Sequence, residues 1–165
     1  MTIARSAPVV LLALMTSSLT QATLVVPLDT NQMTDRAHWI GVGTCTSVRS
    51  AWEGKQVWTE VAFRVERAIK GGTQADLTLR QLGGRVNQPV PVVMQVAGAV
   101  EFRVGETDLL FLEAGPDGSR RLVGFSQGRV PLHRDEAGEL RTGDGERLEA
   151  LVGRIESRLK PAARP

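Results

Sequence analysis

The sequence contains a single cysteine, no tyrosine and only two histidines among its 165 residues. One cysteine excludes an internal disulfide, and we expect Cys45 to be buried, as isolated cysteines usually are. His38 and His133 have no partner at metal-ligand spacing on a shared element, so the sequence predicts no metal site and no cofactor. Its 20 basic and 18 acidic residues are interspersed, which argues against a nucleic-acid partner.

Recognisable catalytic motifs are also missing. The glycine pairs in "GGTQADL" and "LGGRVN" lack both the Lys-Ser/Thr of a phosphate-binding loop and the helix of a dinucleotide fingerprint. No serine lies in a nucleophile elbow. Glu101, Glu106 and Asp108 leave a hydrolase open as an alternative, because paired acids of a glycosidase would look the same in a sequence. The sequence therefore favours a protein that is not an enzyme.

The N-terminal segment predicts an export signal. Arg5 precedes an apolar run at residues 8–15, and Thr20-Gln21-Ala22 places small residues before a cleavage point. The apolar run is shorter than the roughly 20 residues of a membrane-spanning helix. We expect cleavage after Ala22 and a periplasmic or secreted mature protein without an integral membrane segment. The expected division is a signal at 1–22, one domain at 23–160 and a loose tail at 161–165.

Most of the mature sequence alternates apolar and polar residues with the period of β-strands. The predicted strands cover residues 39–48, 57–69, 76–82, 107–113, 121–126 and 129–133. Turns are predicted at 113–119 and 135–138, and a hairpin at Glu53-Gly54-Lys55. Asp29 or Thr30 is expected to cap a short helix, and Asp144 to cap an amphipathic helix over residues 145–159.

One face of the first predicted strand carries only small side chains, namely those of Gly41, Gly43, Cys45 and Ser47. Such a face indicates close approach of another backbone, or a strand that bends as barrels require. The predicted fold class is therefore mostly β. We expect a small antiparallel OB-like barrel of about five or six strands with a C-terminal amphipathic α-helix.

The segment "GGRVNQPVPVVMQVAGAVE" at residues 83–101 is uncharged from Val86 to Val100. Pro89 and Pro91 disfavour ladder pairing, so we expect a long apolar loop that covers the barrel. We predict that this loop and nearby tryptophans bind a protein or peptide. The predicted surface consists of Trp52, Trp58, Gln88, Val90, Val93, Met94, Val96 and Phe102. A glycan stacked on Trp39, Trp52 and Trp58 is an alternative.

Five segments together resemble a family of exported bacterial proteins of unknown function. They are "AHWIGVGTCTSV" (37–48), "WTEVAFRVERAIKG" (58–71), "LRQLGG" (79–84), "GAVEFRVGE" (98–106) and "LLFL" (109–112). The sequence departs from the family at His38, where an acid is usual, and at Val100, where proline is usual.

The strand pattern is also similar to the netrin-like module of tissue inhibitors of metalloproteinases, which is an OB-type barrel. That similarity implies a companion of a secreted protease. The inhibitors act through an N-terminal cysteine held by disulfides, which this sequence lacks, so their inhibitory mechanism is not implied. Fold analogy alone does not establish function.

Overall fold

The computed structural model describes residues 26–87 and 89–160. Within these residues the chain forms two helices and nine strands. In chain order they are α1 (Thr30–Arg36), β1 (Trp39–Glu53), β2 (Gln56–Lys70), β3 (Asp76–Leu82), β4 (Gly84–Val86), β5 (Val92–Met94), β6 (Thr107–Ala114), β7 (Arg120–Leu122), β8 (Arg129–Arg134), β9 (Leu140–Thr142) and α2 (Leu148–Leu159). The mostly β fold and the C-terminal helix are confirmed. The predicted export signal and the C-terminal tail lie outside the described residues.

Seven strands form one antiparallel sheet in the order β3-β2-β1-β6-β8-β9, with β7 also paired to β6. The ladder is open, since no backbone pairing within the described ranges joins β3 to β7 or to β9. The edge of β3 nevertheless lies close to β7. Arg120 Nη2 of β7 donates to Gln74 Oε1, just before β3, at 3.2 Å. The sheet is therefore curled, with its first edge brought against β7.

The sheet separates two apolar cores because neighbouring side chains of a strand point to opposite faces. One face is covered by α1 and α2, where Ile40, Phe111 and Ile155 pack in a single cluster. The other face is the inside of the curl. The inner cluster consists of Trp39, Cys45, Val61, Phe63, Leu77, Leu79, Phe102, Leu110, Leu112 and Leu122.

The small inner face of β1 is crowded, as the sequence indicated. A Cβ atom at Gly41 would lie 2.5 Å from the carbonyl oxygen of Arg67 and 2.5 Å from Cη2 of Trp39. The register between β1 and β2 also shifts at three places between Ile40 and Ser47. Such irregularities increase the local twist of a strand. Cys45 is buried within this region, as expected.

The two helices begin differently from one another. Asp29 caps α1 as predicted, because its Oδ1 accepts a hydrogen bond from the Gln32 backbone N–H at 2.7 Å and the Gln32 side chain accepts one in return. The prediction that Asp144 caps α2 is wrong, since that helix begins at Leu148 after Arg147. Asp144 instead accepts a hydrogen bond from the Thr142 hydroxyl.

Several short elements depart from the sequence prediction. The strand predicted at 121–126 ends at Leu122, because Gly124 and Phe125 adopt left-handed backbone angles (φ 59° and 61°) and start a 3₁₀ turn, Phe125–Gly128. Strand β9 and the β4–β5 hairpin were not expected. Neither helix of residues 26–87 and 89–160 combines the length and hydrophobicity needed to cross a membrane.

We predict that Gly41→Ala lowers the free energy of unfolding by about 1–3 kcal/mol, the usual range for overpacking a tight interior. The physical reason is the contact of the new methyl group with the Arg67 carbonyl and the Trp39 ring. Urea denaturation followed by tryptophan fluorescence measures the effect.

Gly153→Ala is the matched control. Gly153 lies within α2, and a Cβ atom there meets nothing within 4 Å. Because alanine favours helices over glycine, this variant should gain up to about 1 kcal/mol. Equal free energies of unfolding for Gly41→Ala and Gly153→Ala would contradict a crowded inner face.

Candidate binding site

The residues of the predicted binding surface do not lie on one surface. Across the β1–β2 ladder Trp52 is opposite Val57, and Trp58 is opposite Ala51. Because opposed residues share a face and sequence neighbours alternate, Trp52 and Trp58 lie on opposite faces of the hairpin. Trp52 is 41% exposed at the hairpin end, whereas Trp58 is half-buried.

Phe102 departs from the prediction because it is a core residue. It is buried in the inner cluster and meets the Phe63 ring edge-to-face, with centroids 5.6 Å apart. Val90 and Val93 are exposed, as the sequence suggested, whereas Met94 and Val96 are partly buried. Gln88 lies outside the described residues.

Part of the predicted loop is the β4–β5 hairpin, in which Gly84 pairs with Met94 and Val86 with Val92. Hydrogen bonds attach this hairpin, and Gly83 just before it, to β2. The Thr59 hydroxyl donates to the Gly83 carbonyl at 2.6 Å, and the Val57 backbone N–H donates to Met94 Sδ at 3.5 Å. The uncharged segment is therefore partly ordered by backbone pairing, with Val93 turned outward.

The chain after the hairpin is fastened to the edge of β3. The Gln81 side-chain amide donates to the Val100 carbonyl at 2.6 Å and accepts from the Val100 N–H at 3.3 Å. Gln81 thus replaces the pairing that a neighbouring strand would supply. Clefts open on both sides of this attachment, and Gln81, Val96 and Ala99 line both of them.

The first cleft lies where β3 and β7 meet the 96–99 segment, and we call it the Trp58 cleft. Its volume is about 350 Å³. The residues that matter for its chemistry are Trp58, Arg80, Val96, Arg121, Leu122 and Phe125. Phe125 is 59% exposed although it is large and apolar. The second cleft, about 870 Å³, lies under the β4–β5 hairpin and is lined by Thr59 and Met94.

Two guanidinium groups surround the Trp58 ring. The Cζ atoms of Arg80 and Arg121 lie 4.7 and 5.0 Å from its centroid, within the range of cation–π attraction. Both arginines approach Oδ2 of Asp117, at 3.5 Å for Arg80 and 3.1 Å for Arg121. The hydrogen bond from the Ser119 side chain, with help from Arg121, lowers the pKa of Asp117 to about 2. Asp117 therefore stays ionised at neutral pH.

A buried ion pair fastens residues 101–106, which follow the stretch that Gln81 holds at Val100. Arg129 Nε donates to Asp108 Oδ1, and its Nη2 to Glu106 Oε2, each at 2.7 Å. Its Nη1 donates to the Glu101 carbonyl at 2.7 Å, and its Cζ lies 4.7 Å from the Phe102 ring centroid. Arg129 thus holds residues 101–106 against β6 and β8.

Burial sets the protonation of the groups near Arg129. Asp108 is fully buried, and this desolvation raises its pKa although Arg129 opposes the effect. Burial likewise raises the pKa of the Cys45 thiol, which disfavours the reactive thiolate. Neither Asp108 nor Cys45 is therefore activated as a nucleophile. The ion pair of Asp108 with Arg129 instead holds residues 101–106 in place.

The sequence did not predict which residues meet at the Arg129 ion pair or around the Trp58 ring. Arg129 and Asp108 are 21 residues apart, and Arg80 and Arg121 lie on strands that do not pair. Asp108 directly precedes the apolar run of the segment "TDLLFLE", and this position was the one sign in the sequence that its side chain is buried. Buried acids require a partner, but the sequence does not say which arginine supplies it.

Within residues 26–87 and 89–160, no three His, Cys, Asp or Glu side chains converge closely enough to hold a metal ion. The glycan alternative loses one of its platforms, because Trp39 is 3% exposed and its Nε1 donates to the Gly72 carbonyl at 3.3 Å.

No known family profile matches the sequence, and no curated protein matches it. The geometry of the two clefts is therefore the observation that bears on function.

We predict that Asp108→Asn lowers the free energy of unfolding by about 3 kcal/mol, since it leaves the largely buried Arg129 charge without its main partner. Thermal and urea denaturation measure this loss. Hydrogen exchange should also rise selectively at residues 101–106.

Asp35→Asn makes the same chemical change in the exposed pair with Arg158, where both side chains are about half exposed. Exposed pairs contribute little, so this variant should unfold like the wild type. If Asp108→Asn and Asp35→Asn both leave the free energy of unfolding nearly unchanged, the Arg129 pair is not what holds residues 101–106.

Proposed function

We propose that the protein is a non-enzymatic binding protein that takes an apolar segment of a partner protein or peptide into the Trp58 cleft. The observation that carries this proposal is Phe125 at the cleft rim. It is 59% exposed and has a φ of 61°, a conformation that costs a bulky residue free energy. Strained backbone of this kind is concentrated at binding and catalytic sites.

The wall of the cleft supports the same proposal. Val96, Leu82 and Leu122 offer apolar surface beside the half-buried Trp58 ring. Aromatic side chains and arginines in a partly desolvated pocket are typical of residues that dominate binding energy. This arrangement suits an inserted side chain better than a flat polymer.

We propose further that the curled sheet is an OB-like barrel that is nearly closed. Strands β1, β2, β3, β6 and β7 all contribute residues to the inner cluster. Side-chain contacts bridge β3 and β7, where Arg120 reaches Gln74 and Arg80 reaches Asp117. In OB-folds ligands commonly bind on the face of the second and third strands and at the loops beside it.

Export and a protease partner belong to the proposal as well. The segment at residues 1–22 has the pattern of a cleaved signal, so the proposed binding takes place in the periplasm or outside the cell. The resemblance to exported bacterial proteins and to the netrin-like module makes a secreted protease the first partner to test. Glu106 and Asp108, two of the carboxylates considered for a hydrolase, are both bonded to Arg129, so the hydrolase alternative is the weaker one.

Glycan binding is the weaker candidate. Trp52 is 41% exposed and could stack on a sugar, but Trp58 lies on the opposite face and Trp39 is buried. One exposed tryptophan does not form an extended platform.

Site-specific photocrosslinking tests the proposed binding. With p-benzoylphenylalanine in place of Phe125 in the full chain, we expect a discrete adduct in the cells that express the protein. Ala99→Arg should abolish the adduct, because Ala99 lines the Trp58 cleft and a long side chain would fill it.

The matched control carries the same photoreactive residue in place of Val104, which is 66% exposed and does not line the cleft. It should give little or none of this adduct. Equal adducts from both positions, or an adduct that survives Ala99→Arg, would contradict binding in the cleft.

A further inference from the structure

The sulfur of Met94 takes the place of a ladder carbonyl beside β2. The Gly83 N–H donates to the Val57 carbonyl at 2.8 Å, and in a regular antiparallel pair the Val57 N–H would donate back to the Gly83 carbonyl. That carbonyl instead accepts from the Thr59 hydroxyl at 2.6 Å. The Val57 N–H donates to Met94 Sδ at 3.5 Å. Since Val57 is fully buried, the thioether satisfies a backbone donor inside the protein.

The fold treats its two methionines beyond the predicted signal differently. Met94 is partly buried and lines the second cleft, which is open to solvent. Its sulfur is a weak hydrogen-bond acceptor, so the bond from Val57 protects it little. Met33 is 8% exposed and packs in the core under the helices. A small oxidant that enters the second cleft therefore meets Met94 and not Met33.

We propose that Met94 is an oxidation site for hydrogen peroxide, and that its conversion to the sulfoxide loosens the β4–β5 hairpin from β2. The sulfur lone pair attacks one peroxide oxygen and the O–O bond breaks. The departing hydroxide takes the remaining proton and leaves as water. Sulfur loses two electrons and the peroxide gains them, and methionine sulfoxide reductases reverse the change. This modification is independent of the proposed binding in the Trp58 cleft.

The loosening follows from the contact that the sulfur makes. A separation of 3.5 Å between the Val57 nitrogen and Met94 Sδ leaves no room for an added oxygen between them. Either β5 shifts or the Met94 side chain turns away, and the Val57 N–H then loses its present acceptor. The bonds of Gly83 to Val57 and Thr59 precede the hairpin and remain. The change is therefore confined to the hairpin and the end of β2 beside it.

Peroxide treatment of the full chain, with peptide mapping by mass spectrometry, tests the selectivity. We expect Met94 to gain one oxygen atom several-fold faster than Met33 in the native protein. In concentrated urea the two methionines should react at the same rate, because the difference arises from the fold. Equal rates in the native protein would overturn Met94 as the preferred site.

Amide hydrogen exchange followed by NMR tests the consequence, since local opening sets the exchange rate. Oxidation should speed exchange at the Val57 N–H and in β5, leave β6 unchanged, and be reversed by methionine sulfoxide reductase. Met33→Leu is the matched control, a volume-conserving change that should keep the response to peroxide. Met94→Leu should lose the response and show fast Val57 exchange without peroxide, because leucine offers no acceptor.

Oxidation of Met94 without faster exchange at Val57 would overturn the proposed loosening. A response to peroxide that persists in Met94→Leu would show that another group is responsible and overturn the assignment. If Met94→Leu does not fold, the exchange of the oxidised wild type still decides. Failure of the crosslink from position 125 would contradict the proposed function and leave this oxidation site standing.

Discussion

The crowded inner face of β1 is the constraint on which the rest of the structure depends. Gly41 leaves no room for a side chain between the Arg67 carbonyl and the Trp39 ring, and the β1–β2 register shifts three times nearby. These features let a long, two-stranded ribbon coil strongly enough to enclose Phe63 and its neighbours. The opposite face of the same strand packs under the helices, so β1 is shared by both cores.

The curl has a direct functional consequence, because it carries β3 to β7 without joining them in a ladder. Side chains bridge the gap between β3 and β7. The Trp58 cleft opens where these two strands meet residues 96–99. Gln81 fastens that segment at Val100, and Arg129 fastens it at Glu101 and Glu106. The two attachments give the Trp58 cleft a fixed wall, while the β6–β7 turn that carries Asp117 remains exposed.

Long periodic segments made much of this fold predictable. Strand β3 has the predicted bounds, and β1, β2, β6 and α2 differ mainly at their ends. Strands β4, β5, β7 and β9 have three residues each, too few for alternation to be visible. The prediction that Phe102 lies on the binding surface is wrong because an apolar residue in a loop can pack into the core as readily as it can face a partner. The approach of Arg121 to Trp58 and Arg80 could not be predicted from the sequence, because it arises from the curl.

The most direct test of this account is the environment of the Trp58 indole in solution. Arg80 lies on β3, next to β2, and would be near Trp58 in a flat sheet as well. Arg121 lies on β7, which the ladder separates from β2 by β6 and β1. We predict nuclear Overhauser effects from the Trp58 ring protons to the δ-methylene groups of both arginines. Effects to Arg80 without any to Arg121 would contradict the curl and the cleft that depends on it.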